Sequence, residues 1–333
     1  MSKDSKSSKS SKSSKTGIKR NTWLDGVMGV AVGDALGLPV QFLSREELIL
    51  DPVKGMLPCD LFDSPIGTWS DDTAMTLAML DSIKTLGKVN AQDIMENFVR
   101  WLNEAEYTAN HETIDEGNTC AQGILNYVSG QDIYSCGKTG EHANGNGSLM
   151  RTLPICLYYA EKVHNGEATL DDAIKDIHLV SALTHNHIRA CIACGLYYFA
   201  VAAILYEEGS LMTRLHKGMN EGFKYYGSSE DDIYELTYYG WFMDLEEMRE
   251  ATEAEIRSTG YVVDSFEAAI WCLITTDSYR DAMLKAANLG DDTDTIAAIA
   301  GGLAGLYYGY ESIPKEWLEV LRRREWIEVM CRR

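Results

Sequence analysis

The stretch Asn288–Gly309, NLGDDTDTIAAIAGGLAGLYYG, decides how the rest of the chain is read. It opens with Asp291, Asp292 and Asp294, interleaved with Thr293 and Thr295, then runs without a charge to Tyr310. The run is rich in Ala, Gly, Leu and Ile, which reads as a buried helix whose small residues admit close neighbours. Acids suit the positive end of a helix dipole, and Asp or Thr can cap it. Capping alone does not require three acids and two hydroxyls at the mouth of a segment that must go inside. Carboxylates that close repel one another and cost desolvation unless a cation joins them.

Gly67–Leu80, GTWSDDTAMTLAML, repeats the design. Ser70, Asp71, Asp72 and Thr73 again precede an apolar, helix-forming run. From one motif, capping and metal binding weigh about equally. Two such tips favour convergence on one hard divalent cation or on two, because Mg²⁺ and Mn²⁺ take all-oxygen shells.

Composition narrows the rest. The 333 residues are 45% hydrophobic, enough for a large core in a single domain. Residues 1–20, rich in Ser and Lys, cannot bury apolar area and read as a disordered tail, with one folded domain over 21–333. The net charge is −20; the tail carries seven Lys or Arg and one Asp, leaving the body near −26 by difference. Such a body is a poor partner for nucleic acid. An anionic small ligand then needs a local device such as a helix N-terminus, a metal or a single Arg. The start lacks the apolar core of a signal peptide, so the eight cysteines read as reduced and the location as cytoplasmic. Cys191 and Cys194 form a lone CxxC inside an apolar helix, which favours core packing over zinc or redox chemistry. Ala190–Tyr206 is uncharged over 17 residues, short of a span, and reads as a core helix without a membrane.

Nearly every other segment has a period near 3.6, and strand alternation is scarce. The expected fold is an all-α globule of ten or more helices. Trp23–Leu38 is a glycine-dense helix with Asp34 inside it, read as a hydrogen-bonded structural or supporting acid. Glu106–Asn118 is a polar loop. Asn144–Ser148 is a donor-rich turn just before a helix starting LMRTL. His185 and His187 precede the apolar helix, better suited to hydrogen bonding than to zinc. Residues 207–258 read as one or two acidic-faced helices, and Pro314–Ile327 as a last amphipathic one.

The motifs GVAVGDALGLPVQF, GTWSDDTAM, NGSLMR, THNH, STGYVVDSFEAAIWC and NLGDDTDTIAAIAGGLAGLYYG, in this order over residues 23–310, resemble the ADP-ribosylglycohydrolase family. The two acidic motifs carry the likeness; the glycine and histidine motifs support it. The resemblance implies an all-α enzyme that releases ADP-ribose from an ADP-ribosylated protein or small molecule, arginine-linked substrates foremost, with two divalent cations, Mg²⁺ or Mn²⁺. It implies Ser70, Asp71, Asp72, Asp292, Asp294 and Thr295 as metal ligands, with Asp72, Asp115 and Asp292 catalytic. It places Gln41, Asn118, Asn146, Gly147, Ser148, His185 and Tyr261 around the ADP-ribose. Asp291 stands where relatives usually have Gly, and reads as a support. Gln41 stands where many have a catalytic Glu, and Gln exchanges no proton. This leaves open Asp115 or a metal-linked Asp in that role, a binding protein with weakened catalysis, or a hydrolase of a small ADP-ribosylated molecule or nucleotide. A monomer is expected.

Overall fold

The computed structural model describes residues 20–333, so nearly all of the Ser/Lys tail read from the sequence lies outside the described residues. Arg20, counted with that tail, is anchored: its guanidinium bonds Asp25 at 2.6 Å and the carbonyls of Gly305 and Leu306 at 3.1 and 2.6 Å. Sixteen α-helices and seven short 3-10 segments follow. Among the described residues there is no strand, only three isolated bridges.

Two helices set the frame. The first, Thr22–Gly37, starts at Asn21, whose side chain accepts the Leu24 N–H, and stops at the Leu38–Val40 turn containing Pro39. It runs antiparallel along the helix of the second acidic motif, Thr293–Tyr308. The glycines anticipated as close-contact points form the seam. A Cβ on Gly33 would stand 2.1 Å from the Ala297 carbonyl oxygen, and one on Gly29 2.1 Å from that of Gly301. A Cβ on Gly37 would lie 2.5 Å from the Asp294 Cα. The pairing 29–301, 33–297, 37–294 brings the end of one helix to the start of the other. Asp34 and Asp294 are thereby placed at one spot.

The helix of the first motif, Asp71–Leu86, closes on Gly87 in the left-handed conformation (φ 65°) and packs beside the first helix. Ile188–Tyr206 and Thr22–Val40 are long and apolar enough to cross a membrane, yet both are buried inside the fold over most of their length. All eight cysteines are buried and unpaired. Burial pushes the Cys191 thiol up to about 12, in keeping with a core role.

Three local readings change. Residues 207–258 form Leu211–Tyr226, Glu230–Leu236 and Leu245–Glu250, with 3-10 turns at 237–243 and 253–255, rather than one or two helices. The C-terminal segment breaks at Arg323 (φ 52°) into Lys315–Val320 and Arg324–Arg332. The helix after the glycine turn begins only at Leu153, because Asn146–Ser148 is a 3-10 turn whose cap continues through Leu149. In each case a polar or left-handed residue interrupts a pattern that amphipathicity alone would continue.

The seam makes a test. An exposed helical Gly→Ala change gains about 1 kcal/mol. Gly33→Ala should instead lose about 3 kcal/mol, since backbone on both sides leaves no room. Chemical denaturation measures this, and an unchanged midpoint would contradict the seam.

Candidate active site

The two acidic helix tips meet. Carboxylate oxygens of Asp34, Asp72 and Asp294 lie within 4.8 Å of one another, all buried. Thr295 Oγ1, from the second motif, is 3.4 Å from Asp72 Oδ2 of the first.

Asp34 is the support of the group. It accepts the Ser70 N–H at 2.9 and 3.0 Å, the Ser70 hydroxyl at 2.9 Å, the Thr73 N–H at 3.0 Å and the Thr73 hydroxyl at 2.6 Å. Its carboxyl is pushed up to about 6 by burial, against the pull of those four donors. The Ser70 hydroxyl donates to Asp34 at 2.9 Å, with Asp72 Oδ2 as a second acceptor 3.2 Å away, so the oxygen's lone pairs are left for the interior of the cluster. Sequence reading gave Asp34 the hydrogen-bonding role and missed its membership of the three-acid group. The signal was there: a charge inside an otherwise apolar helix.

The rest of the cluster is strained electrostatically. Burial first, then the neighbouring carboxylates, hold Asp71, Asp72 and Asp294 well above the ordinary carboxylate range. Burial raises Asp292 as well, opposed by Asn146, Asp294 and Thr295. At an effective dielectric of about 20, each pair of charges at this spacing repels by roughly 3 kcal/mol. Three pairs would consume a large part of a typical folding free energy. Protons or a cation must therefore occupy the group. Asp72 Oδ1 and Asp294 Oδ2 are buried and have no hydrogen-bond partner, which fits them for a ligand atom. An all-oxygen set of carboxylates and hydroxyls suits a hard divalent cation.

Above the cluster opens a cleft of about 450 Å³, in the usual range for a small-molecule site. Asp71, Asp292 and Thr295 line its floor; Asp115, Asn118, Asn146, Gly147, His185 and Gln41 line its walls. Asp115 sits in the left-handed conformation (φ 57°), and its carboxyl is raised by burial. Gln41 faces it, but Gln41 Nε2 makes no formed hydrogen bond. Asn118 is the exposed first residue of helix Asn118–Val128. His185 is held neutral by burial, with Arg151 and Lys138 adding to the effect. Arg151 donates to Thr184 Oγ1 at 2.8 Å, and that oxygen lies 2.8 Å from His185 Nδ1. Thr184 can then donate to Nδ1, and we assign the imidazole proton to Nε2, the nitrogen beside Gly145 and Gly147.

Three of the residues implied around the ADP-ribose are engaged by other side chains or backbone of the protein. Asn146 lines the cleft, but its amide donates to Asp292 Oδ2 at 2.6 Å and Ser265 Oγ at 2.8 Å, so it braces an acid. Ser148 is buried behind the wall and accepts the Ser181 hydroxyl at 2.9 Å. Tyr261 pairs its backbone with Gly145, and its hydroxyl accepts Arg189 at 3.0 Å. The cleft also takes Phe42, Thr119, Cys120, Met150, Thr259 and Gly260, none of them singled out from sequence. Phe42, Met150, Thr259 and Gly260 lie inside the quoted motifs without a role of their own, and Thr119 and Cys120 in the helix Asn118–Val128.

The sequence profile described as ADP-ribosylglycohydrolase matches residues 17–333. The chain belongs to the ADP-ribosylglycohydrolase family. It is 30% identical over 299 residues to the ADP-ribosylarginine hydrolase Tri1 of Serratia proteamaculans, covering 90% of this chain and 75% of that one. It is 28% identical over 303 residues to the ADP-ribosyl-[dinitrogen reductase] glycohydrolase of Rhodospirillum rubrum, with 90% and 89% covered. A solved structure titled ADP-ribosylglycohydrolase-related protein complex superposes with TM-score 0.75 at 27% identity, over 93% of this chain and 95% of that one. The all-α fold expected from periodicity is thus the fold of this family.

The raised carboxyls carry a pH prediction for this family member. The metal-free native state holds protons that the unfolded chain loses above its ordinary carboxylate value of 3.8. Metal-free stability should therefore fall as pH rises from about 4 through about 6 and beyond. A divalent cation replaces those protons, so its gain in thermal midpoint should be larger at pH 8 than at pH 5. Scanning calorimetry with and without Mg²⁺ reads this; an equal gain at both pH values would contradict the cation site.

Proposed function

We propose that this protein is a metal-dependent hydrolase that cleaves the glycosidic bond of ADP-ribosylated substrates, arginine-linked ADP-ribose on protein foremost. One observation carries the metal reading: two buried, partnerless carboxylate oxygens, on Asp72 and Asp294, in a three-acid cluster next in the chain to Asp71, Asp292 and Thr295, which line the cleft. Ser70, Asp71, Asp72, Asp292, Asp294 and Thr295 would hold two divalent cations, Mg²⁺ or Mn²⁺. When bound, the cations supply Lewis acidity, lowering the pKa of a water, and neutralise the acids that would repel a diphosphate.

The chain's own residues do the rest. Asp34 fixes the Ser70 oxygen. Asn146 aims Asp292 by taking one of its oxygens, which keeps the other for the cluster. Neutral His185 offers Nε2–H to the ligand without adding charge. Asp115 stands beside Gln41 on the wall, so the cleft keeps a proton-exchanging group where Gln41 has none. It can move a proton at the glycosidic atom and stabilise positive charge at the anomeric carbon. That neighbour weighs against the reading of a binding protein with weakened catalysis. The relatives named for arginine-linked and dinitrogen-reductase-linked substrates support the arginine linkage. Residues 21–333 are read as one domain. The unpaired cysteines support a reducing, cytoplasmic compartment, and the acidic body argues against nucleic-acid partners.

Asp72→Ala and Asp292→Ala should each lower Mg²⁺-dependent release of ADP-ribose from ADP-ribosyl-arginine by about 10³-fold or more, with folding retained by circular dichroism. Wild-type turnover in either variant would overturn the reading.

A further inference from the structure

Phe42 stands out among the residues of the cleft. It is a bulky aromatic in the left-handed conformation (φ 66°), where L-residues with large side chains are rarely found. It is 69% exposed, so its ring gains little from burial, yet it lines the cleft. The strain is imposed from outside. The Phe42 N–H donates to the Asp291 carbonyl at 2.7 Å, and the Asp291 N–H donates to the Leu43 carbonyl at 2.9 Å. Asp291 is itself left-handed (φ 58°), at the position the family resemblance gives to Gly. Two strained residues thus clamp the Gln41 loop to the loop that leads into Asp292 and Asp294. Strain held by such over-determination, on a ring that gains nothing from the core, marks a contact made with a ligand.

The charge around the ring says which kind. Asp71, Asp115, Asp291 and Asp292 all line the cleft, and none of its lining residues is Lys or Arg. Asp34, Asp72 and Asp294 lie beneath. Seven carboxylates against two divalent cations still leave an excess of up to three negative charges. A planar cation is attracted to such a rim and to the face of an aromatic ring. The clamp also fixes which end of the ligand is involved. Phe42 is tied to the acidic floor, where the glycosidic bond must lie, and not to the Gly145–Gly147 and His185 wall.

We propose that Phe42 is a specificity-determining residue that stacks on a guanidinium leaving group, selecting arginine-linked over uncharged linkages. This rests on the proposed activity. The test compares wild type with Phe42→Gly, which removes the ring and suits the backbone, and Phe42→Trp, which restores a ring, all with Mg²⁺. Phe42→Gly should lower kcat/KM on ADP-ribosyl-arginine by about tenfold. The inhibition constant of free ADP-ribose, which has no guanidinium, should stay within about twofold. Phe42→Trp should recover most of the loss, and the Phe42→Gly thermal midpoint should equal or exceed wild type. A parallel loss for ADP-ribose would place the ring on the nucleotide, and no loss on either would remove it from the site; both overturn the proposal. Absence of wild-type turnover would sink the proposed activity instead. Calorimetric affinities for ADP-ribosyl-arginine and for ADP-ribose, in wild type and Phe42→Gly, would then make the same comparison.

Discussion

The backbone contact between helices Thr22–Gly37 and Thr293–Tyr308 is the constraint on which the site depends. Glycine at positions 29, 33, 37 and 301 lets the two chains approach to distances at which any side chain would collide. The contact is antiparallel, so it delivers the Asp34 end of one helix to the Asp294 end of the other. Thr293 Oγ1 donates to the Gly37 carbonyl at 3.0 Å and locks that end. The Asp71–Leu86 helix then joins through Ser70 and Thr73, both bonded to Asp34. Three segments far apart in sequence are fixed around one small volume.

What fills that volume follows from charge. A fold that places carboxylates this close, out of water, is unstable with all of them ionised and bare. Protonation relieves the repulsion in acid; a hard cation relieves it at neutral pH and sets a local positive centre in the acidic floor. That centre also reconciles a strongly acidic body with a diphosphate-bearing ligand, which the protein surface would otherwise repel. Arg151 is buried behind the wall and engaged with Thr184. The cleft therefore draws no direct cation from the protein, and anion recognition is left to neutral donors and, on the proposed reading, to bound metal.

Much of this was legible from residues alone. Helical periodicity and the scarcity of alternation were enough for the fold class, because a helix writes its buried face locally. The two acidic tips were legible because hydroxyls and carboxylates before an apolar run have few uses. What escaped depends on contacts across the chain. Asp34 read as a supporting acid because its partners lie 36 and 39 residues away. Asn146 read as a ligand contact; that its amide also donates to Asp292, 146 residues on, no local pattern shows. Phe42 closes the motif GVAVGDALGLPVQF but drew no role of its own. Its strain arises from Asp291, and no local pattern records a left-handed pair formed by two distant loops.

Anomalous diffraction from crystals grown with Mn²⁺ at neutral pH tests the cation site most directly. Strong peaks are expected at about 2.0–2.3 Å from oxygens of Asp72 and Asp294, at the floor of the cleft. A fully ordered structure at saturating Mn²⁺ with no peak there, the acids sharing protons instead, would contradict it.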